Sequence, residues 1–344
     1  MKRKVTLFWA LTLVGLGVVA LGKMHTANAQ TQTPPYYFVA IHCEPSAEDE
    51  IASNFGVLRE MVAYADAYHI KLTIMLTPQW ADYIAADPAR LAEVQSWMEN
   101  GHEIAAHHHS IYHGSWDGYT NFPPDVVRAQ VSNPRPYLGT LDDYIAALQQ
   151  LNPNVQAGCV NDERDKRVMP DAIIYDTCSG FSNAGEPGER NGDNVPEKGV
   201  NHFMTVGTVN GIQRKWLTHY QVYHRPLAAF QTMMAMEGGV YGVVTHAAAG
   251  QDAPLYTFLD AVHEVDPEGA FSRTVSEIVE EALLPEVELP DDVVNAIYES
   301  TRPPLPAQNG EMGSEKCGDG TCDQFEREHP DACPQDCPQA TTAP

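Results

Sequence analysis

From Tyr36 onward the chain alternates between short apolar runs and longer amphipathic ones, and this alternation constrains the fold more than any other feature. Tyr36-Tyr-Phe-Val-Ala-Ile-His42 is a continuous apolar run, as a strand buried on both faces reads. Ala47 to His69 follows with Ile51, Phe55, Val57, Leu58, Met61, Val62 and Ala65 at helical spacing. Lys71 to Leu76 is a second strand. Ala81 to Met98 is helical again and divided at Pro88, and the Asn100-Gly101 turn opens a third strand, His102 to His107. This repeat predicts a parallel sheet with crossover helices, either open and doubly wound or closed into a barrel. From His108 to Thr140 no regular period is present, which predicts a long loop. Thr140 then caps a helix, Val155 to Val160 and Ala172 to Tyr175 read as short strands, and Val240 to His246 is a late strand. Leu255 to His263 and Val275 to Leu284 are the last two helices of this region, the second capped by Thr274.

The histidines fall where these strands end. Five of them, His102, His107, His108, His109 and His113, lie within one short segment. Residues two apart on a strand share a face, so His107 and His109 project together. If the chain turns helical after His109, His109 and His113 share a face instead. Either pair has the geometry that imidazole ligands of a divalent metal need. His42 and Glu44 are two apart at the end of the first strand, and His246 ends the late strand. Parallel α/β proteins assemble their sites at the carboxyl ends of strands, so these residues form a candidate metal site. His108 is expected to point away from its neighbours and His102 to be structural. His69, His219, His224 and His263 read as ordinary surface or core residues.

Charge and cysteines bound the setting. Acids outnumber bases 46 to 21, a net charge of −25, which disfavours nucleic acid and anionic membrane surfaces as partners. Residues 1–29 read as a signal peptide: Met-Lys-Arg-Lys, an apolar run from Val5 to Leu21, and Ala27-Asn28-Ala29 as a cleavage site. An uncleaved anchor helix is the alternative. After cleavage no membrane span is expected, and the protein is expected to be secreted, periplasmic or at the cell surface. Residues 36–284 form the α/β domain. Residues 285–316 are an acidic, proline-rich linker with one further candidate helix, Pro290 to Ser300. Residues 317–337 hold Cys317, Cys322, Cys333 and Cys337, a module too small for a core and expected to be held by disulfides. Asp319, Asp323 and Glu326 there offer oxygen donors for Ca²⁺. Among the other three cysteines, Cys159 with Cys178 closes a plausible loop, leaving Cys43 unpaired.

The histidine segment resembles a known pattern. Gly101-His-Glu-Ile-Ala-Ala-His107 is similar to the Gly-His-Glu-Ile-Gly-x-His run of the polysaccharide deacetylase family. His109-Ser-Ile-Tyr-His113 resembles that family's His-(Ser/Thr)-x-x-His metal motif, and Val243-Val-Thr-His246 its last strand. The resemblance covers roughly residues 36 to 284 and implies a distorted (β/α) barrel holding a Zn²⁺-type ion. The family's first motif has two adjacent aspartates where this chain has His42-Cys43-Glu44-Pro45. Ligand and base then fall to Glu44 and His42, in either order. Cys317 to Cys337 resembles a short cysteine-rich repeat found at the ends of exported microbial proteins.

The activity so implied is metal-dependent removal of N- or O-acetyl groups from an extracellular glycan. Glu44, His107, His109 and His113 are the candidate ligands, His42 or Glu44 the base, and His246 the general acid. Tyr112, Trp116 and Tyr119 could form a platform for sugar rings or fold the loop into its own small core. Two other readings stay open: a non-catalytic glycan-binding protein on the same fold, and a two-carboxylate glycoside hydrolase drawing on Glu44, Asp117, Asp162 and Glu163.

Overall fold

The apolar runs become strands in the computed structural model, which describes residues 33–111, 115–122, 127, 137–160, 169–178, 195–209 and 211–294. The signal peptide, Tyr112, His113, Asp162, Glu163, most of the linker and the cysteine module lie outside the described residues. The chain divides between Thr33 and Pro34 into two units, and every element below belongs to the second.

Strand β1 (Tyr36–Cys43) is central. It pairs in parallel with β2 (Leu72–Leu76) on one side and with β10 (Val240–His246) on the other. Beyond β2 come β3 (Glu103–His108), β4 (Ala157–Val160), β5 (Tyr175–Asp176) and β8 (Ile212–Trp216), all parallel to their neighbours. Antiparallel β7 (Met204–Val209) and then β11 (Glu286–Glu288) finish that end. On its outer edge β10 carries β6 (Val200–Asn201), antiparallel, and β9 (Tyr220–Gln221), parallel. The result is a mixed α/β fold whose sheet curls as half a barrel; among the described strands, β6 and β11 do not meet.

The two faces carry different side chains. The outer face presents Val39, Ile41, Leu72, Ile74, Leu76 and Ile104 to the crossover helices. These include α1 (Glu48–Ala67), α2 (Pro78–Ala85), α3 (Pro88–Glu99) and α4 (Leu141–Gln149). Helices α5 (Pro226–Met234) and α6 (Asp252–His263) complete that layer. The inner face is narrower and holds Ala40, Ala105 and Ala157 with Phe38, Met75 and Val244. Small residues suit the concave side of a curled sheet, where side chains converge. Helix α7 (Val275–Glu280) closes this side at the amino ends of the strands, burying Val275, Ile278 and Val279. Its Val275 N–H donates to Thr73 Oγ1 at 3.0 Å and its Ser276 N–H to the Glu103 carboxylate at 3.3 Å. The opposite end of the concave face is left to the histidines.

Local signals explain most boundaries. Thr140 and Thr274 each form a full capping box, as their positions predict. Pro88 starts α3 behind the capping Asp87. Helix α2 begins at Pro78 rather than Ala81, because proline at a first helical position loses no hydrogen bond. The strand expected over Ala172 to Tyr175 is only Tyr175–Asp176, since the Ile173 N–H is turned back to the Pro170 carbonyl. The sheet continues past residue 284. Glu286–Glu288 pairs with β7, and Val294 packs on Trp216 and Val209. Acidic, proline-containing composition disguised this edge strand as linker.

Candidate functional site

Side-chain alternation places His42 and Glu44, His107 and His109, Cys159, and His246 on the concave side at the carboxyl ends of β1, β3, β4 and β10. The register sets His42 directly beside His246 and His107 directly beside Cys159. Glu44 follows the last residue of β1, and Pro45 stops the strand there.

Glu44 is the hub. Its Oε1 lies 3.1 Å from His107 Nε2 and 3.3 Å from His246 Nε2, and its Oε2 lies 3.3 Å from His109 Nε2. His107 Nε2 and His109 Nε2 are 2.9 Å apart. Burial alone would raise the Glu44 carboxyl, but the imidazoles of His109 and His107, with His246, hold it well below the ordinary carboxylate range. It is therefore an anion at neutral pH. Two imidazole nitrogens facing each other and a carboxylate need a proton or a cation among them.

The donor set fits a cation. Bonds of about 2.0–2.2 Å to nitrogen and oxygen put donors around one tetrahedral ion about 3.3 Å apart, near the spacing of Glu44, His107 and His109. His109 is already oriented for this: its Nδ1–H donates to the Ser115 carbonyl at 3.1 Å, leaving the Nε2 lone pair toward Glu44. The His107 ring is held by stacking on His42, with centroids 4.1 Å apart, while its buried Nδ1 has no partner among the described residues. Of the two register choices, the structure brings His107 and His109 together; His113 lies outside the described residues.

His42 sits behind this group. Burial, followed by the neighbouring imidazoles of His107, His219 and His246, lowers its pKa well below the usual histidine value, so it is neutral at neutral pH. His246 keeps about a quarter of its side chain exposed, at the mouth of the site.

Other expectations resolve as follows. His108 turns away, as expected, and gives its Nδ1–H to Asp117 at 2.7 Å. Asp117 is fully buried; it also accepts the His109 N–H and the Tyr119 N–H, each at 3.0 Å. Its side chain thus supports the end of β3 and the loop that follows. His102 is structural: its Nδ1 accepts the Leu72 N–H at 3.0 Å and its Nε2–H reaches Asp66 at 3.1 Å. Of the two readings left open for Trp116 and Tyr119, their burial favours the loop core. Trp116 is 2% exposed and packs with Ile111 and Val127, and its Nε1–H donates to the Tyr119 carbonyl. Tyr119 is 7% exposed against Tyr144. Both fold the loop into its own core, because their rings are worth more buried than facing water. Cys159 and Cys178 are joined, and Cys43 is buried with no disulfide to another of the described residues.

One residue was missed. His219, just before β9, was read as ordinary, yet its ring meets His42 edge-on at 5.4 Å and its Nε2 lies 3.8 Å from Cys178 Sγ. Burial first, then His246, Lys198 and His107, take its pKa down to about 3. The only available signal was its place one residue before Tyr220, after the alternating stretch Ile212 to Trp216.

No family model matches this chain, and no curated protein does. Among solved structures, a 4-alpha-glucanotransferase from Thermococcus litoralis aligns with a TM-score of 0.45 at 12% identity, over 75% of this chain and 42% of that one. The chain thus spans under half of that protein's length, and so slight a likeness says nothing about activity.

Proposed function

We propose that the protein is a metal-dependent hydrolase that removes acetyl groups from an extracellular glycan. The observation that carries this reading is the Glu44 carboxylate met by three histidine Nε2 atoms at 3.1–3.3 Å, at the carboxyl ends of three strands. Glu44, His107 and His109 would hold the ion, and two nitrogens with one oxygen suit Zn²⁺. A divalent cation bound there would polarise an acyl carbonyl and lower the pKa of water. Glu44 is accordingly the ligand, and the base role falls to His42, which is neutral and takes the proton of the attacking water on its ring nitrogen. His246, at the mouth, hands a proton from its ring to the departing amine or alkoxide. The likeness of Gly101 to His113 to the deacetylase motifs supports the acyl substrate. The leader-like residues 1–29 support a glycan outside the cell. A two-carboxylate hydrolase draws no support from Asp117, whose oxygens are engaged by its own loop.

The test combines metal analysis with product analysis. The purified protein should hold one equivalent of Zn²⁺, release acetate from acetylated chito- or xylo-oligosaccharides, and stop with a chelator. Glu44→Ala should lose both properties. Protein that binds no divalent metal and frees no acetate would sink the reading; new reducing ends formed in chelator would favour a glycosidase.

A further inference from the structure

The concave face holds a second group of donors, which shares His42 with the Glu44 centre and adds two groups that centre does not use, Cys178 and His219. Cys178 Sγ lies 4.0 Å from His42 Nε2 and 3.8 Å from His219 Nε2. All three donor atoms lie within 4.8 Å of one another. Bonds of about 2.3 Å to sulfur and 2.0–2.1 Å to nitrogen put such donors about 3.6 Å apart around a tetrahedral ion, close to these spacings. Among the described residues the buried His219 Nδ1 has no partner, so none of them holds the ring away from this arrangement. What prevents binding is covalent: Cys178 is joined to Cys159, and a disulfide sulfur is a poor ligand where a thiolate is a strong one.

We propose that reduction of the Cys159–Cys178 disulfide opens a second metal site, formed by His42, His219 and Cys178 and selective for thiolate-preferring cations such as Zn²⁺ or Co²⁺. Cys178 is partly exposed and Cys159 fully buried, so a reductant attacks the Cys178 sulfur. With a trialkylphosphine the phosphorus bonds to Cys178 Sγ, the S–S bond breaks, and Cys159 leaves as thiolate. Water then displaces Cys178 from phosphorus. The phosphine is oxidised by two electrons to its oxide, taking the water oxygen, and the two water protons end on the two sulfurs. On binding the cation, Cys178 releases its thiol proton to solvent. The site shares His42 with the hydrolase reading, but its test does not depend on that reading, since the cobalt–thiolate band reports Cys178 and not acetate release.

The experiment is a Co²⁺ titration of the full chain, followed by thiolate-to-cobalt charge-transfer absorption, with circular dichroism to monitor the fold. Cys159→Ser leaves Cys178 as a free thiol without any reductant, and should show the band that the untreated wild type lacks. Adding His219→Ala or Cys178→Ser to that variant should abolish it. Phosphine-treated wild type should gain the band relative to Cys178→Ser treated identically, a difference in which the remaining cysteines cancel. Absence of the band from both Cys159→Ser and the reduced wild type would overturn the proposal, as would a band indifferent to His219→Ala. Loss of the folded signal in both forms overturns it equally, because the site needs β1, β5 and β9 in place.

Discussion

Asp117 illustrates how a buried carboxylate can serve a site without entering it. It takes the His108 ring, the His109 N–H and the Tyr119 N–H, and so fixes the direction in which the strand delivers His109. Replacing it with alanine removes one charged acceptor from three buried donors. Asp117→Ala should cost about 2–4 kcal/mol in a denaturant titration, since buried donors left without an acceptor cost roughly 1–3 kcal/mol each before relaxation. His102 gives a second, pH-dependent case. Burial lowers its pKa, against the pull of Asp66, and its Nδ1 must stay unprotonated to accept the Leu72 N–H. With the folded pKa below the unfolded value of about 6.5, the unfolded chain binds the proton more readily. The contribution is therefore complete above pH 6.5 and is lost as pH falls through the folded pKa. His102→Gln should flatten the acid limb of a melting-temperature profile relative to wild type; an unchanged slope would refute the assignment. At this scale the strand-end residues were legible because a period of two is a property of the backbone, and His42, Glu44, His107, His109 and His246 all obeyed it. His219 was not legible because β9 has only two residues and leaves no period to read. Trp116 and Tyr119 stayed open between two readings because a ring that packs a loop and a ring that binds a sugar are the same residue type.

Among elements, the join between α7 and the sheet is the most exposed to mutation. Thr274 accepts the Glu277 N–H, and Glu277 returns a bond to the Thr274 N–H. Thr274→Ala should cost about 1 kcal/mol, as loss of an N-cap does elsewhere, measured by urea unfolding. Strand β10 carries a stricter demand. A Cβ on Gly242 would stand 2.4 Å from the Phe38 ring and 2.5 Å from the Thr218 carbonyl oxygen. Gly242→Ala should destabilise by about 1–3 kcal/mol or more through overpacking, and a variant that melts like wild type would show that β9 is free to withdraw. Helices with caps and strands with long apolar runs were readable in advance. Strands of two or three residues were not, because their pairing partners, not their own composition, create them.

Taken whole, the molecule shows where acidic composition misled. Residues 285–294 read as linker, yet Glu286–Glu288 pairs with β7 and Val294 caps Trp216. A chain stopped after Leu284 should lose about 3 kcal/mol, the scale for uncovering one or two apolar side chains, and a calorimetric melt would register it. The net charge of −25 adds a general expectation. Self-repulsion destabilises a compact state, so raising ionic strength toward the physiological range should raise the melting temperature.

The central position of β1 has a consequence for the order of assembly. Its two edges are claimed by a strand that follows within forty residues and by one that begins at Val240. During synthesis the second edge must wait, unpaired, until most of the chain exists, and an unpaired edge invites pairing with another molecule. His42 and His246 become neighbours only when that last pairing closes. Glu44, His107 and His109 all come from the ends of β1 and β3, which meet through β2, so a cation can be gripped early; it is His246, the proposed acid, that arrives only with the longest-range step and would mark the finished molecule among its unfinished copies.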